Sequence, residues 1–100
     1  MTRDEVLALK PGSKLDLLVC EKVMKWITPW EPFFPSTDIS AAWEVVEKMS
    51  EQWPQYQLTK IEDGWSVMWG FDGYGWPEAT GKTAPEAICK AALMAVMDIE

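Results

Sequence analysis

Residues 64–76 read GWSVMWGFDGYGW, and this alternation of large and small side chains is typical of a β-hairpin. Large apolar side chains occupy every second position of its first half: Trp65, Val67, Trp69 and Phe71. Alternate positions of a strand share one face, so the spacing predicts a strand with one strongly apolar face. The pair Asp72-Gly73 that follows is a favoured two-residue hairpin turn.

Two further segments complete an antiparallel meander with this strand. Residues 55–61 carry alternating apolar side chains and lead into residues 62–64, Glu-Asp-Gly, which is a turn sequence. Tyr74 and Trp76 open the third strand. The sequence therefore predicts three short strands, each paired with its neighbour along the chain.

Four helices are predicted around the meander. Residues 2–5 and residues 83–86 each form a capping box, in which a threonine and a glutamate satisfy the first N–H groups of a helix. A second helix is expected over about residues 13–25, and a third is capped by one of residues 36–38.

The last two helices differ in the distribution of their apolar side chains. Five residues of the third helix form a stripe that we expect to be buried: Ile39, Ala42, Trp43, Val46 and Met49. The fourth helix is apolar nearly all round after Lys90. Such a helix is covered on more than one side, either by other elements of the chain or by another subunit.

Helices combined with an antiparallel meander predict an α+β fold, with residues 1–100 forming a single domain. The aromatic face of the central strand needs one helical cover. The small residues Ser66 and Gly70 on its other face allow a helix to pack closely there as well. We therefore predict a three-layer α/β/α sandwich with a three-stranded meander and about four helices.

Composition excludes several classes of function. The chain has 100 residues, 48% of them apolar, and a net charge of -7. This charge disfavours duplex nucleic acid and anionic membrane surfaces as partners. The longest apolar run covers residues 91–97, which is too short to cross a bilayer, and no secretory signal or lipid anchor is recognisable. We expect a cytoplasmic protein.

The sequence offers little catalytic or metal-binding chemistry. It has no histidine, so it lacks an imidazole base and the commonest metal ligand. Cys20 and Cys89 lie in separate predicted helices, and we expect small buried residues rather than a disulfide or a metal site. We expect no cofactor and no catalytic residue.

An enzyme that uses carboxylate side chains as its catalytic groups is a less favoured alternative to a non-catalytic protein. The candidates are Asp38, Asp63, Asp72 and Glu78. A helix cap explains Asp38, and hairpin turns explain Asp63 and Asp72.

Aromatic side chains outside any helical or strand period are the candidate binding residues. They lie in the proline-rich loop over residues 28–37 and after the hairpin turn: Trp30, Phe33, Phe34, Tyr74 and Trp76. Such residues are common binding anchors, although the loop also fits a cap over one end of the sheet. Lys82, which precedes the Thr83 cap, is the best candidate for a phosphate contact, and Lys60 joins it if the strands bring the two lysines together.

Five segments, taken in this order, resemble one family: residues 7–12, 19–24, 36–39, 41–48 and 83–89. This family is the phage ABA sandwich domain, found in small phage and prophage proteins. The resemblance implies a phage or prophage origin, an α/β/α sandwich and a location in the host bacterial cytosol. The resemblance supplies no catalytic residue and no cofactor that could be transferred to this sequence.

Two hypotheses of function follow. The first is a non-catalytic protein-interaction module that binds a host protein, a phage protein or a second copy of itself through the last helix or a sheet edge. The second is a small-ligand binder that sequesters a nucleotide-like signal of host defence, since phages make small proteins of this kind.

Overall fold

This computed structural model describes residues 2–25, 33–53, 55–71, 74–75 and 78–97. These residues form four α-helices and four β-strands. The helices are α1 (Arg3–Ala8), α2 (Ser13–Val19), α3 (Ile39–Ser50) and α4 (Ala84–Val96). The strands are β1 (Gln55–Ile61), β2 (Gly64–Phe71), β3 (Tyr74–Gly75) and β4 (Ala79–Gly81). A π-helical segment, Cys20–Met24, continues α2.

Strand β2 is the centre of an antiparallel sheet. On one side β1 pairs along its whole length, from Gln55 opposite Gly70 to Ile61 opposite Gly64. On the other side β2 pairs with both β3 and β4, which together occupy the third position of the sheet. The predicted meander is therefore confirmed, with its third strand in two pieces.

The first turn of the meander requires a glycine. Gly64 has a φ of 153°, and a Cβ at this position would overlap the backbone carbonyl oxygen of Gly81. Only glycine fits here, because the end of β4 approaches the turn between β1 and β2 closely. This approach fixes the point from which the chain enters α4.

Helix α4 is the middle layer of the described structure. Every residue from Pro85 to Ala95 is buried. One side of α4 packs on β2 and β4, and the other contacts α1, α2 and α3. The apolar surface of this helix is thus covered by other elements of its own chain, which was the first of the two predicted possibilities.

The α+β class, the antiparallel sheet and the four helices are confirmed. The sheet contributes Val67, Trp69 and Ala79 to the hydrophobic core beneath α4. On the opposite face of the sheet, Thr59 and Thr80 are exposed. A further helical layer on that face, which an α/β/α order requires, stays a prediction.

Helix α3 is rotated relative to the predicted stripe. Its buried residues are Ala41, Ala42, Val45, Val46 and Met49. Ile39 and Trp43 are 49% and 48% exposed, so the prediction that they are buried is wrong. The physical reason is that α3 packs against α4 through a buried side that includes the small residues Ala41 and Ala42, and small side chains let two helix backbones approach.

The central tryptophans of β2 follow their predicted alternation. Trp69 is 1% exposed and lies in the core, as predicted. Trp65 is half-buried, and the Lys60 ammonium lies 5.5 Å from the centre of its ring. Trp53, which has no place in any apolar period, is also buried.

Candidate functional site

The structure places the predicted binding aromatics in different environments. Phe34 is 53% exposed, whereas Phe33 is half-buried and packs against the core. Tyr74 pairs with Phe71 in the sheet, and its side chain lies outside the described residues. Trp30 and Trp76 also lie outside them, as do Trp26 and the Asp72-Gly73 turn.

Hydrogen bonds to α2 hold the backbone beside Phe34 in place. Buried Ser36 donates its N–H to Oδ1 of Asp16 at 2.8 Å. Its hydroxyl oxygen accepts the N–H of Gly12 at 2.9 Å. Pro35, between Phe34 and Ser36, is fully buried. This segment is therefore fixed on both sides, which keeps Phe34 at the surface in a defined position.

The same segment leads directly into α3. The carbonyl oxygen of Phe34 accepts the N–H of Asp38 at 2.9 Å. Oδ1 of Asp38 then accepts the N–H of Ser40 at 3.0 Å and caps the helix, as predicted. Phe34 thus lies beside the first turn of α3, where Ile39 is exposed.

Three exposed side chains form what we call the α3 apolar surface: Phe34, Ile39 and Trp43. Ile39 and Trp43 are four residues apart on α3 and therefore neighbours on one side of the helix. Exposed Glu44 and Glu47 follow along the same helix. Sequence reasoning identified Phe34 and missed the two helical residues, because their spacing also fits a buried stripe.

The two predicted lysines lie at the same end of the sheet. Lys60 is opposite Trp65, and Trp65 is opposite Gly81, which precedes Lys82. The backbones of Lys60 and Gly81 are thus two strand spacings apart, or about 10 Å. The Lys60 ammonium donates to the carbonyl oxygen of Gly64 at 3.4 Å.

The start of α4 already holds a carboxylate. Glu86 accepts the N–H of Lys82 at 3.1 Å, and Thr83 accepts the N–H of Glu86 at 3.3 Å. Glu86 and Asp63 also line the cavity of about 270 Å³ beside Lys82. Negative side chains therefore occupy the position where a phosphate would meet this helix N-terminus, and the Lys60 and Lys82 site stays a prediction.

A buried ion pair lies in the same region and was not foreseen. The Lys90 ammonium donates to Oε2 of Glu86 at 2.5 Å and to the carbonyl oxygen of Leu7 at 2.9 Å. Lys90 is 3% exposed and Glu86 is 7% exposed. The pair connects α4 with the last turn of α1 and with the loop after β4.

Both cysteines are buried in the interior of the fold. Burial raises the pKa of the Cys20 thiol, and the nearby Glu21 carboxylate raises it further. Burial raises the pKa of Cys89 far above its ordinary value, with a smaller contribution from Asp16. Because the thiolate is the reactive form, both cysteines are protected by protonation as well as by burial.

We expect neither thiol of the folded chain to react with Ellman's reagent at pH 8. Unfolding in guanidinium should expose both thiols and release two equivalents of the coloured product per chain. Rapid reaction of either cysteine in the native protein, at a rate close to that of free cysteine, would contradict the burial described here.

Two further observations concern the described ranges as a whole. Across them, no three Cys, Asp or Glu side chains are grouped so that they could hold a metal ion. None of the helices in these ranges is long and apolar enough to cross a membrane.

Comparison with known proteins shows similarity to a protein family and to a solved structure. A family model described as the phage ABA sandwich domain matches residues 17–93. A crystal structure of a phage protein from Bacillus cereus ATCC 14579 is 27% identical, with a TM-score of 0.72. The alignment covers 89% of this chain and 94% of that chain. No curated protein matches.

Proposed function

Since this chain belongs to the phage ABA sandwich domain family, we propose that it is a phage accessory protein that acts by binding a protein partner. The observation that carries this proposal is the α3 apolar surface. It consists of three large apolar side chains, each about half exposed, next to a backbone segment that is fixed by hydrogen bonds.

The surface has the properties of a binding anchor. Large aromatic side chains supply most of the energy in many protein interfaces, especially where they enter a pocket of the partner. The hydrogen bonds of Ser36 fix the backbone beside Phe34 before any partner arrives. Less conformational entropy is then lost on binding, which favours affinity.

Charge indicates the chemistry of the partner. Asp38, Glu44 and Glu47 are exposed on or beside α3, and the whole chain has a net charge of -7. The complementary partner is a protein with an apolar pocket surrounded by Lys and Arg side chains. A second copy would bring the same carboxylates together in a symmetric interface, so we favour a host or another phage protein.

The structure leaves fewer surfaces for self-association than the sequence analysis considered. Helix α4 is buried within its own chain and is not available to a second copy. Strand β1, which is largely exposed, is one edge of the sheet and offers a route for a second copy. We propose that the protein is a monomer. Light scattering at about 100 µM should then give the mass of one chain. A stable dimer would show instead that the partner is a second copy of the chain.

A non-catalytic role in the host cytosol completes the proposal. The absence of histidine disfavours the common forms of acid–base and nucleophilic catalysis. Two buried cysteines that form no disulfide with each other suit a reducing compartment, where disulfides are rare.

Affinity purification from host cells tests the proposal. The tagged wild-type chain should enrich a partner protein, identified by quantitative mass spectrometry. Trp43→Ser and Phe34→Ser should each reduce that enrichment by about tenfold, because each removes an anchor. Tyr56→Ser is the matched control, since Tyr56 is a 44% exposed aromatic on β1.

The variants must first show unchanged folding by thermal unfolding. If Trp43→Ser and Phe34→Ser retain every protein that the wild-type chain enriches, the α3 apolar surface is not the binding site.

A further inference from the structure

A cavity of about 580 Å³ lies between the π-helical segment, the end of α3 and the end of α4. Its volume is within the range of small-molecule sites. Its apolar lining comes from all three elements and from the residue Trp53 after α3: Val23, Met49, Trp53 and Val96. Val23, Met49 and Trp53 are buried, so each presents only a small apolar area to the cavity.

Positive charge surrounds this cavity in an otherwise acidic protein. Lys22, Lys25 and Lys48 line it, which is three of the nine Lys and Arg residues of the chain. Glu51 is the carboxylate of the described lining, and it lies 3.1 Å from the Lys48 ammonium. The three lysines outnumber the one glutamate of the described lining, in a chain whose net charge is -7.

The backbone at Lys25 gives a second, independent observation. Helix α2 widens into the π-helical segment, and the N–H of Lys25 bonds to the carbonyl oxygen of Cys20. Lys25 then adopts φ 61° and ψ 35°, and it is the one non-glycine residue with positive φ in the described ranges. Helices usually place glycine at such a left-handed position, because a side chain is strained there.

A lysine at this position places a third ammonium group at the cavity. Glycine would satisfy the backbone better but would remove one of the three ammonium groups. π-Helical turns and strained backbone are often found at functional sites, where the geometry positions side chains for binding.

We propose that this cavity binds a small organic anion with two or more negative charges and one flat apolar group, the chemistry of a nucleoside phosphate. The lysines contact the charges, and the apolar lining contacts the flat group. The site lies towards the end of α3, whereas the α3 apolar surface lies at its start. It therefore does not depend on the proposed protein partner.

This site differs from the one that the sequence predicted. Lys60 and Lys82 lie near a cavity of less than half the volume, which Glu86 and Asp63 also line. The larger cavity has more lysines, fewer carboxylates and more space. A small anionic ligand is thus assigned to Lys22, Lys25 and Lys48.

Isothermal titration calorimetry with the full chain tests the ligand class. The probes are ATP, ADP-ribose, inorganic tripolyphosphate and adenosine. We expect at least one of the two nucleotides to bind with a Kd below about 1 mM, more tightly than tripolyphosphate and adenosine. The Kd should rise with salt, because the contacts are ionic. Absence of binding by both nucleotides, or equal affinity for tripolyphosphate, would overturn the proposal.

Substitutions test the location of the site. Lys22→Gln and Lys48→Gln should each weaken nucleotide binding by about tenfold, since each removes a charged contact. Lys10→Gln is the matched control, because Lys10 is exposed and lines neither cavity. It should bind as the wild-type chain does.

Lys25→Gly separates binding from folding. The substitution should leave the Tm unchanged or raise it, because glycine relieves the left-handed strain, and it should weaken nucleotide binding by about tenfold. Unchanged binding in this variant, or equal losses in Lys22→Gln and Lys10→Gln, would show that the cavity is not the site.

Discussion

Lys90→Met should lower the free energy of unfolding by about 3–5 kcal/mol, measured by urea or guanidinium denaturation. The substitution leaves the Glu86 carboxylate buried without its ammonium partner, and it removes the donor to the carbonyl oxygen of Leu7. Glu86 is 7% exposed, so water replaces the lost ammonium contact only in part.

A second lysine–glutamate pair supplies the control. Lys48 and Glu51 are 3.1 Å apart, but their side chains are 42% and 67% exposed. Lys48→Met should cost less than about 1 kcal/mol, because exposed pairs are screened by solvent. The double variant Glu86→Gln, Lys90→Met should recover about 2 kcal/mol relative to Lys90→Met alone, since it removes the unpaired charge. Equal effects of Lys90→Met and Lys48→Met would contradict the burial of the first pair.

Trp69→Ala should destabilise the fold by about 3–5 kcal/mol, whereas Trp43→Ala should cost less than about 1 kcal/mol. Trp69 is 1% exposed in the core beneath α4, and its truncation leaves a large cavity. Trp43 is 48% exposed on α3, and water can fill the space that its side chain leaves. The measurement is chemical denaturation of both variants beside the wild-type chain.

Trp69→Phe covers the case in which Trp69→Ala does not fold. It keeps most of the aromatic side chain and removes Nε1, a buried donor that has no hydrogen-bond partner among the described residues. We expect a cost below that of Trp69→Ala, at about 1–2 kcal/mol. If Trp43→Ala destabilises the chain more than Trp69→Phe does, the exposed position of Trp43 is wrong.

The sheet and the helix starts could be predicted because their signals are local. The alternation of large and small side chains around Trp69 predicts a strand, and the turn sequence that ends at Gly64 predicts where the strand begins. Both signals come from neighbouring residues alone. The capping residues Thr2, Asp38 and Thr83 all act as caps in the structure. Each of these features involves residues only a few positions apart, so a single sequence contains the required information.

The orientation of α3 could not be predicted in the same way. Ala42, Val46 and Met49 fit two stripes, one that continues to Ile39 and Trp43 and one that continues to Ala41 and Val45. The choice depends on packing against α4, which comes from a distant part of the sequence. Hydrophobicity favours the first stripe, but close packing between helices selects the second.

The cavity lysines were missed for a similar reason. Lys22 and Lys48 are far apart in sequence and come together only because α3 packs beside the π-helical segment. The periodicity that predicts a helix over residues 13–25 does not distinguish a π-helical end from an α-helical one. The left-handed conformation of Lys25 follows from that end and has no sequence signal of its own.

The central claim is that the α3 apolar surface binds a protein partner. Its most direct test replaces Trp43 by the photoreactive amino acid p-benzoylphenylalanine in chains expressed in the host, with the same replacement at Tyr56 as the control. Irradiation should give one crosslinked product at position 43, containing this chain and a different protein, and the product should be absent at position 56. No crosslinked product at position 43, or the same products at both positions, would contradict the claim.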